Sequence, residues 1–380
     1  MSKEIDDTQN AHREKLEKFL AVNNIAFNGH NPWDIKVYNP KLYERMMTEG
    51  SIGFGEAFMD GWWDCDQLDG MFHRLCTGKS VYKVKFYPQA IKNRLWAYFT
   101  NRQSKTLAAA AIKQHYDLGN ELYRSMLGKH LAYSCGYWQQ AKTLDQAQEH
   151  KFDLICRKLK LQPGQKVLDI GCGWGGFMKY AAESYRVTCV GITLSEGQFD
   201  YGNTSCANLP IEIRLADYRE LDEEFDHIVS IGMFEHVGYK NYNEFMRIVR
   251  RCLKADGLFL LHTIGGNKSV VSTHQWLEKY IFPGGMLPSM GQIVKATEGV
   301  FIMEDWHNFG ADYDKTLMCW YENFNNNWAT IKHQYDDRFF RMWTYYLLSC
   351  AGGFRARGNQ LWQIVFSKDG VPGGYYASVR

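Results

Sequence analysis

The chain has 380 residues, 45% of them hydrophobic and 23% charged, with a formal net charge of +2 at pH 7. This is the profile of a folded globular protein with core enough for two domains, and it speaks against a disordered chain or a disulfide-stapled one. The ten cysteines are scattered singly, with no Cys-x-x-Cys pair and no Cys/His cluster at zinc spacing, so free thiols and no metal site are expected.

The first residues, Met1 to Asp7, are polar and charged, unlike a signal peptide. No run approaches the roughly 18 apolar residues that span a bilayer. The expectation is a cytoplasmic protein whose membrane contact, if any, is peripheral. Aromatic residues reach 15%, which suits either core packing or the lining of a pocket for an apolar or cationic ligand.

Leu16, Phe19, Leu20 and Ile25 predict a first amphipathic helix. Asn39-Pro40 precedes a second, with Leu42, Tyr43, Met46 and Met47 on one face. In the run from Gly50 to Trp63, the glycines at 50, 53, 55 and 61 predict tight turns. The paired Trp62 and Trp63 predict a packed or lipid-facing surface. Residues 1–101 therefore read as a small, mainly helical N-terminal domain that contacts lipid or membrane, and residues 102–380 as a second, larger domain.

No acidic residue occurs between Asp69 and Asp117. Arg74, Lys79, Lys83, Lys85, Lys92, Arg94, Arg102, Lys105 and Lys113 fall there, interleaved with Tyr82, Phe86, Tyr87, Trp96, Tyr98 and Phe99. An anionic lipid surface is the favoured reading of this stretch. A solvated helix and linker, here including the alanine-rich helix 107–112, is the second, and nucleic acid the weakest.

Beyond it the pattern alternates. Short apolar runs at 166–170, 186–192, 211–215, 225–231 and 257–263 read as strands, with helices such as 242–253 between them. Such alternation predicts a mostly parallel, doubly wound α/β sheet. Runs at 300–304 and 361–366 predict an antiparallel edge pair.

The strongest motif follows the first of these strands: Asp169-Ile170-Gly171-Cys172-Gly173-Trp174-Gly175-Gly176. Glycines there let the backbone turn sharply and approach a ligand closely. The spacing departs from the dinucleotide pattern Gly-x-Gly-x-x-Gly. An acid inside the strand, two residues before the first glycine, is the pattern of S-adenosylmethionine methyltransferases. Asp217, before Tyr218, follows the third strand where such enzymes hold adenine; its bland alternative is a helix N-cap. The second strand ends in Thr193-Leu194-Ser195 where an acid usually holds the ribose, so a hydroxyl, with Gln198, is expected to replace it. Gly197 and Gly202 in the following helix are expected to loosen that edge.

With these motifs in view, the sequence resembles the cyclopropane-fatty-acyl-phospholipid synthase family from about Asn28 to about residue 368. The resemblance is carried by Gly53-Phe-Gly55-Glu-Ala-Phe-Met-Asp60-Gly-Trp-Trp63, His115-Tyr-Asp-Leu-Gly-Asn120 and Tyr133-Ser134-Cys135-Gly-Tyr-Trp138. Further matches are Gly232-Met-Phe-Glu235-His236, Leu261-His262-Thr-Ile264-Gly265, Trp306 through Tyr313, and Phe354-Arg-Ala-Arg357. It implies a class I methyltransferase, Rossmann-like doubly wound sheet with an antiparallel edge strand.

The implied reaction is methyl transfer from S-adenosylmethionine to a cis double bond of an unsaturated phospholipid acyl chain, followed by deprotonation and ring closure. The resemblance further implies a bound bicarbonate ion as the base, held by Cys135, Glu235, His262, the Ile264 backbone N–H and Tyr313. It places the donor on Tyr116, Tyr133, Ser134, Gly171, Gly173, Thr193, Leu194, Gln198, Asp217 and Tyr218. A homodimer at the inner face of the membrane, with no nucleic-acid partner, completes the expectation.

Three other readings compete. A nicotinamide oxidoreductase fits the glycine spacing poorly. A related methylase would leave a methyl-branched or methylene product. A non-enzymatic lipid-binding module is compatible with the fold alone, but it would be expected to have lost some of these polar residues.

Overall fold

The computed structural model describes residues 2–77, 119–271 and 273–376, and of residues 2–8 the backbone only. Tyr116, segment 107–112 and the basic stretch beyond Thr77 lie outside the described residues.

The N-terminal part folds as α1 (Ser2–Ala21), β1 (Lys36–Val37), α2 (Lys41–Glu49), α3 (Ser51–Met59), β2 (Trp63–Asp64) and α4 (Leu68–Thr77). β1 and β2 pair antiparallel, Val37 opposite Trp63. Leu16 and Leu20, one turn apart on α1, are buried, as are Leu42 and Tyr43 on α2.

The glycines at 53 and 55 correct the expectation of turns, because both lie inside helix α3. A Cβ at Gly53 would sit 2.6 Å from the Arg45 carbonyl, and one at Gly55 2.5 Å from the Trp276 ring. They are small for close approach. Only the flanking Gly50 and Gly61, at φ 62° and 73°, turn the chain. Both tryptophans pack inward. Trp63 is fully buried and stacks on Phe54 at 4.2 Å, while Trp62 is half-buried beneath the Arg45 guanidinium at 4.9 Å.

The remainder builds α5 (Asn120–Leu127), α6 (Leu144–Lys158), β3 (Lys166–Ile170), α7 (Gly176–Tyr185), β4 (Thr188–Thr193), α8 (Glu196–Ser205), β5 (Ile211–Leu215), β6 (Phe225–Ile231), α9 (Tyr242–Cys252) and β7 (Leu253–Gly266). Then come α10 (Gln275–Tyr280), α11 (Met290–Thr297), β8 (Ile302–Asn308), α12 (Asp312–Ile331), α13 (Asp337–Arg355) and β9 (Asn359–Ser367). The sheet order is β5-β4-β3-β6-β7-β9-β8. The first five strands are parallel, and β9 and β8 run antiparallel to their neighbours.

β4 starts two residues later than its apolar run suggests, because Arg186 takes a left-handed conformation (φ 56°) that caps α7. Side-chain alternation along the strands sends Leu168, Ile170 and Ile228 into one core and Val167, Val229 and Leu260 into the core on the other face.

A third core joins the N-terminal helices to the C-terminal ones. Phe54, Phe58, Trp63 and Met71 share it with Trp276, Trp343 and Tyr345. A Cβ at Gly352 on α13 would meet the Asp69 carbonyl of α4 at 2.4 Å. Arg355 bridges Asp69 at 2.7 Å and Asp314 at 2.8 Å. No helix among the described residues is long and apolar enough to cross a membrane.

Candidate active site

The β3–α7 turn forms the floor of a cleft of about 1100 Å³, partly open to solvent. Gly171 (φ 83°) lies so close to Met233 that a Cβ would come within 2.6 Å of it, while at Gly173 (φ 56°) a Cβ would meet nothing within 4 Å. One glycine serves packing; the other leaves its space to a ligand. Every predicted donor residue except Tyr116 lines this cleft. Ile170, Trp174, Arg219, Met233 and His236 line it as well, and the sequence reading did not name them as donor contacts.

The end of β4 shows how the missing acid is replaced. Thr193 Oγ1 donates to Gln198 Oε1 at 2.8 Å and accepts the Ser195 N–H at 3.1 Å. Ser195 itself caps α8. The Gln198 amide nitrogen is therefore the group left for a ligand hydroxyl. Gly202 does not loosen this edge: a Cβ there would meet Ile213 Cδ1 at 2.4 Å, so α8 sits tightly on β5.

Asp217 is both cap and ligand candidate. Its Oδ1 accepts the Arg219 backbone N–H and Nε, each at 2.9 Å, and its buried Oδ2 has no protein partner. Asp169 also lines the cleft and is buried, and burial pushes its carboxyl up to about 7.

The other predicted site residues, Glu235, His262, Cys135 and Tyr313, are buried and do not line the cleft. Glu235 sits in a single 3-10 turn just after β6. Its Oε1 accepts the Ile264 N–H at 2.7 Å, and its buried Oε2 has no protein partner. Burial raises its carboxyl to about 7, against the lowering effect of the Ile264 bond. Met286 N–H holds the Glu235 carbonyl at 2.8 Å.

His262, on β7, faces Gln363 across the β7–β9 pair. The Gln363 amide nitrogen is 3.3 Å from His262 Nδ1. In that orientation His262 is the Nε2–H tautomer. Burial, with Lys151 and Lys158 nearby, holds it neutral. Nε2 is buried without a protein partner.

Cys135 is fully buried, and burial pushes its thiol well above the usual range. It donates to the Gly136 carbonyl at 3.2 Å. Thr316 on α12 accepts Gly136 N–H at 3.1 Å and Trp138 Nε1–H at 2.9 Å, and Asp312 accepts Trp138 N–H at 2.7 Å. These bonds bring segment 135–138 against the helix that carries Tyr313. Tyr313 stacks on Phe354 at 4.5 Å. Burial raises its phenol, and the proximity of Cys135, Glu235 and Tyr133 raises it further.

The orphaned Glu235 Oε2 and His262 Nε2, one acceptor and one donor, fit a small protonated oxyanion such as bicarbonate. Ile264 N–H and the Cys135 thiol already have partners, so they would have to share them with such an ion. Among the described residues no His, Cys, Asp and Glu cluster suits a metal.

A family model described as mycolic acid cyclopropane synthetase matches residues 103–364. Cyclopropane-fatty-acyl-phospholipid synthase of Escherichia coli is 50% identical over 94% of this chain and 93% of its own. The cyclopropane synthase MmaA2 of Mycobacterium tuberculosis superposes with a TM-score of 0.64 at 32% identity, covering 68% of this chain and 98% of its own. Mycolic acid cyclopropane synthase CmaA1, solved in complex with SAH and CTAB, gives the same TM-score and coverages at 34% identity.

Proposed function

The chain belongs to the mycolic acid cyclopropane synthetase family, and from that premise we propose that it converts cis double bonds of unsaturated phospholipid acyl chains into cyclopropane rings, with S-adenosylmethionine as methyl donor. The observation that carries the reading is a cleft lined by every described donor residue, together with two buried side-chain atoms left without a protein partner, Glu235 Oε2 and His262 Nε2.

The chemistry needs this division. Methyl transfer to one alkene carbon leaves a cation on its neighbour, and ring closure requires loss of a proton from the new methyl. Bicarbonate, when bound, supplies the base for that proton. Glu235 would accept its O–H, increasing electron density on its other oxygens, while His262 Nε2–H and Tyr313 hold those oxygens in place. Tyr133, Trp320 and Trp174, in ring contact around Tyr123 and Tyr313, keep water away and favour cationic groups.

The proposal extends to the cell. Residues 1–101 and the basic stretch 74–113 are read as the contact with anionic lipid at the inner face of the membrane, and the protein as a cytoplasmic homodimer, following the family resemblance. Sedimentation of the purified protein tests the dimer.

The decisive experiment is incubation with unsaturated phospholipid vesicles and S-adenosylmethionine. Mass spectrometry should show a gain of one CH2 per double bond, and NMR should show a ring. A methyl-branched or methylene product would instead favour a methylase on the same fold.

A further inference from the structure

Lys151 is a buried lysine whose only part so far is as a charge near His262. It lies on α6 with its side chain fully enclosed. Its Nζ donates to Ser134 Oγ at 2.7 Å and to Gln148 Oε1 at 2.5 Å. Gln148, one turn earlier on the same helix, donates from Nε2 to the Ser134 carbonyl at 2.9 Å and the Ala132 carbonyl at 3.4 Å. The two side chains thus clamp segment 132–134, which forms one wall of the cleft.

Burying a lysine is costly unless its donors are satisfied and its charge is used. Lys151 has no carboxylate in hydrogen-bond contact among the described residues, and burial pulls its ammonium down to about 7, against the opposing effect of Cys135 and Asp169 nearby. What it touches is a serine hydroxyl on the cleft wall. A hydroxyl that accepts from an amine must point its own proton elsewhere. A donor behind it also makes that proton a stronger hydrogen-bond donor. Ser134 is thereby fixed as a donor toward the cleft.

We infer that Lys151 is a positioning residue that acts through Ser134 to build a carboxylate-binding subsite in the cleft. The inference rests on the donor-site reading above, because the group it recognises is the amino-acid carboxylate, the anionic group of S-adenosylmethionine. Asp169, which lines the same cleft, is suited to the neighbouring ammonium. A zwitterion then meets a donor and an acceptor held by one helix and one strand.

The test compares two probes by calorimetry: S-adenosylhomocysteine, and its analogue lacking the carboxylate. Lys151→Met should weaken S-adenosylhomocysteine binding about tenfold or more, the size of one charge-assisted hydrogen bond, and leave the decarboxylated analogue bound as in the parent protein. Equal weakening of both probes in a folded variant, or no weakening of either, would overturn the inference.

If Lys151→Met does not fold, Ser134→Ala carries the same comparison. Loss confined to the carboxylate-bearing probe supports the inference, and equal loss or no loss refutes it. A parent protein that binds neither probe would instead overturn the donor-site reading.

Discussion

The Ile264 N–H donates to Oε1 of Glu235 at 2.7 Å, joining the far end of one parallel strand to the turn that leaves its neighbour. The bond fixes one carboxylate oxygen and leaves the other, Oε2, buried without a hydrogen-bond partner. Burial favours the neutral form and outweighs the lowering effect of the Ile264 and Glu235 backbone amides and of Thr263, which is why the carboxyl sits at about 7 rather than in the usual carboxylate range.

Glu235→Gln should therefore keep donor binding and lose most turnover. The loss expected for removing a group that organises proton transfer is about 10²- to 10⁴-fold. Ring formation by mass spectrometry and S-adenosylhomocysteine binding by calorimetry measure the two separately; normal cyclopropanation by this variant would contradict the role given to Glu235.

The same substitution should change stability with pH in one direction. The folded-state pKa of Glu235 is raised, from 4.5 to about 7. Its contribution to stability is thus complete below about 4.5 and is lost as pH rises through about 7. Glutamine has no such dependence. Relative to the parent, Glu235→Gln should gain on the order of 2 kcal/mol between pH 5 and 8, seen as a rise in the variant's melting temperature minus the parent's. A fall in that difference over the window would contradict it.

Two glycines of α8 should respond oppositely to alanine. A Cβ at Gly202 would meet Ile213 at 2.4 Å, whereas at Gly197 its nearest neighbours are the Asn120 side-chain atoms at 3.9 Å. Gly202→Ala is expected to cost about 1–3 kcal/mol by overpacking. Gly197→Ala should be neutral or gain up to about 1 kcal/mol from helix propensity. Urea unfolding of the two variants reads the difference directly.

Gly55→Ala should loosen the N-terminal helices, because its Cβ would come within 2.5 Å of the Trp276 ring and Trp276 is fully buried. A loss of about 1–3 kcal/mol is expected. Limited proteolysis should then cut within residues 1–77 sooner than in the parent.

Binding to anionic vesicles should weaken steeply as salt rises, since each exposed cation near such a surface contributes about 1 kcal/mol that screening removes. Co-sedimentation at increasing ionic strength measures it, and salt-independent binding would remove the 74–113 stretch as the contact.

The sequence determined the sheet and the cleft because both are written locally. Branched apolar runs at 166–170, 211–215 and 225–231 become strands at those same bounds, and the glycines after the first strand sit where a ligand must approach the backbone. It misread Gly53 and Gly55, since a small residue reports equally a turn and a close neighbour, and for Gly55 that neighbour, Trp276, is more than 200 residues away. It also passed over Lys151 and Gln148. Their one signal was that they interrupt the apolar stripe Leu144, Gln148, Lys151, Ile155 at helical spacing. Whether such residues face water or a buried hydroxyl depends on what the rest of the chain packs against that helix. The partners of Glu235 and His262 are of the same kind: strand pairing and tertiary packing alone decide which buried polar atoms are satisfied and which are left for a ligand.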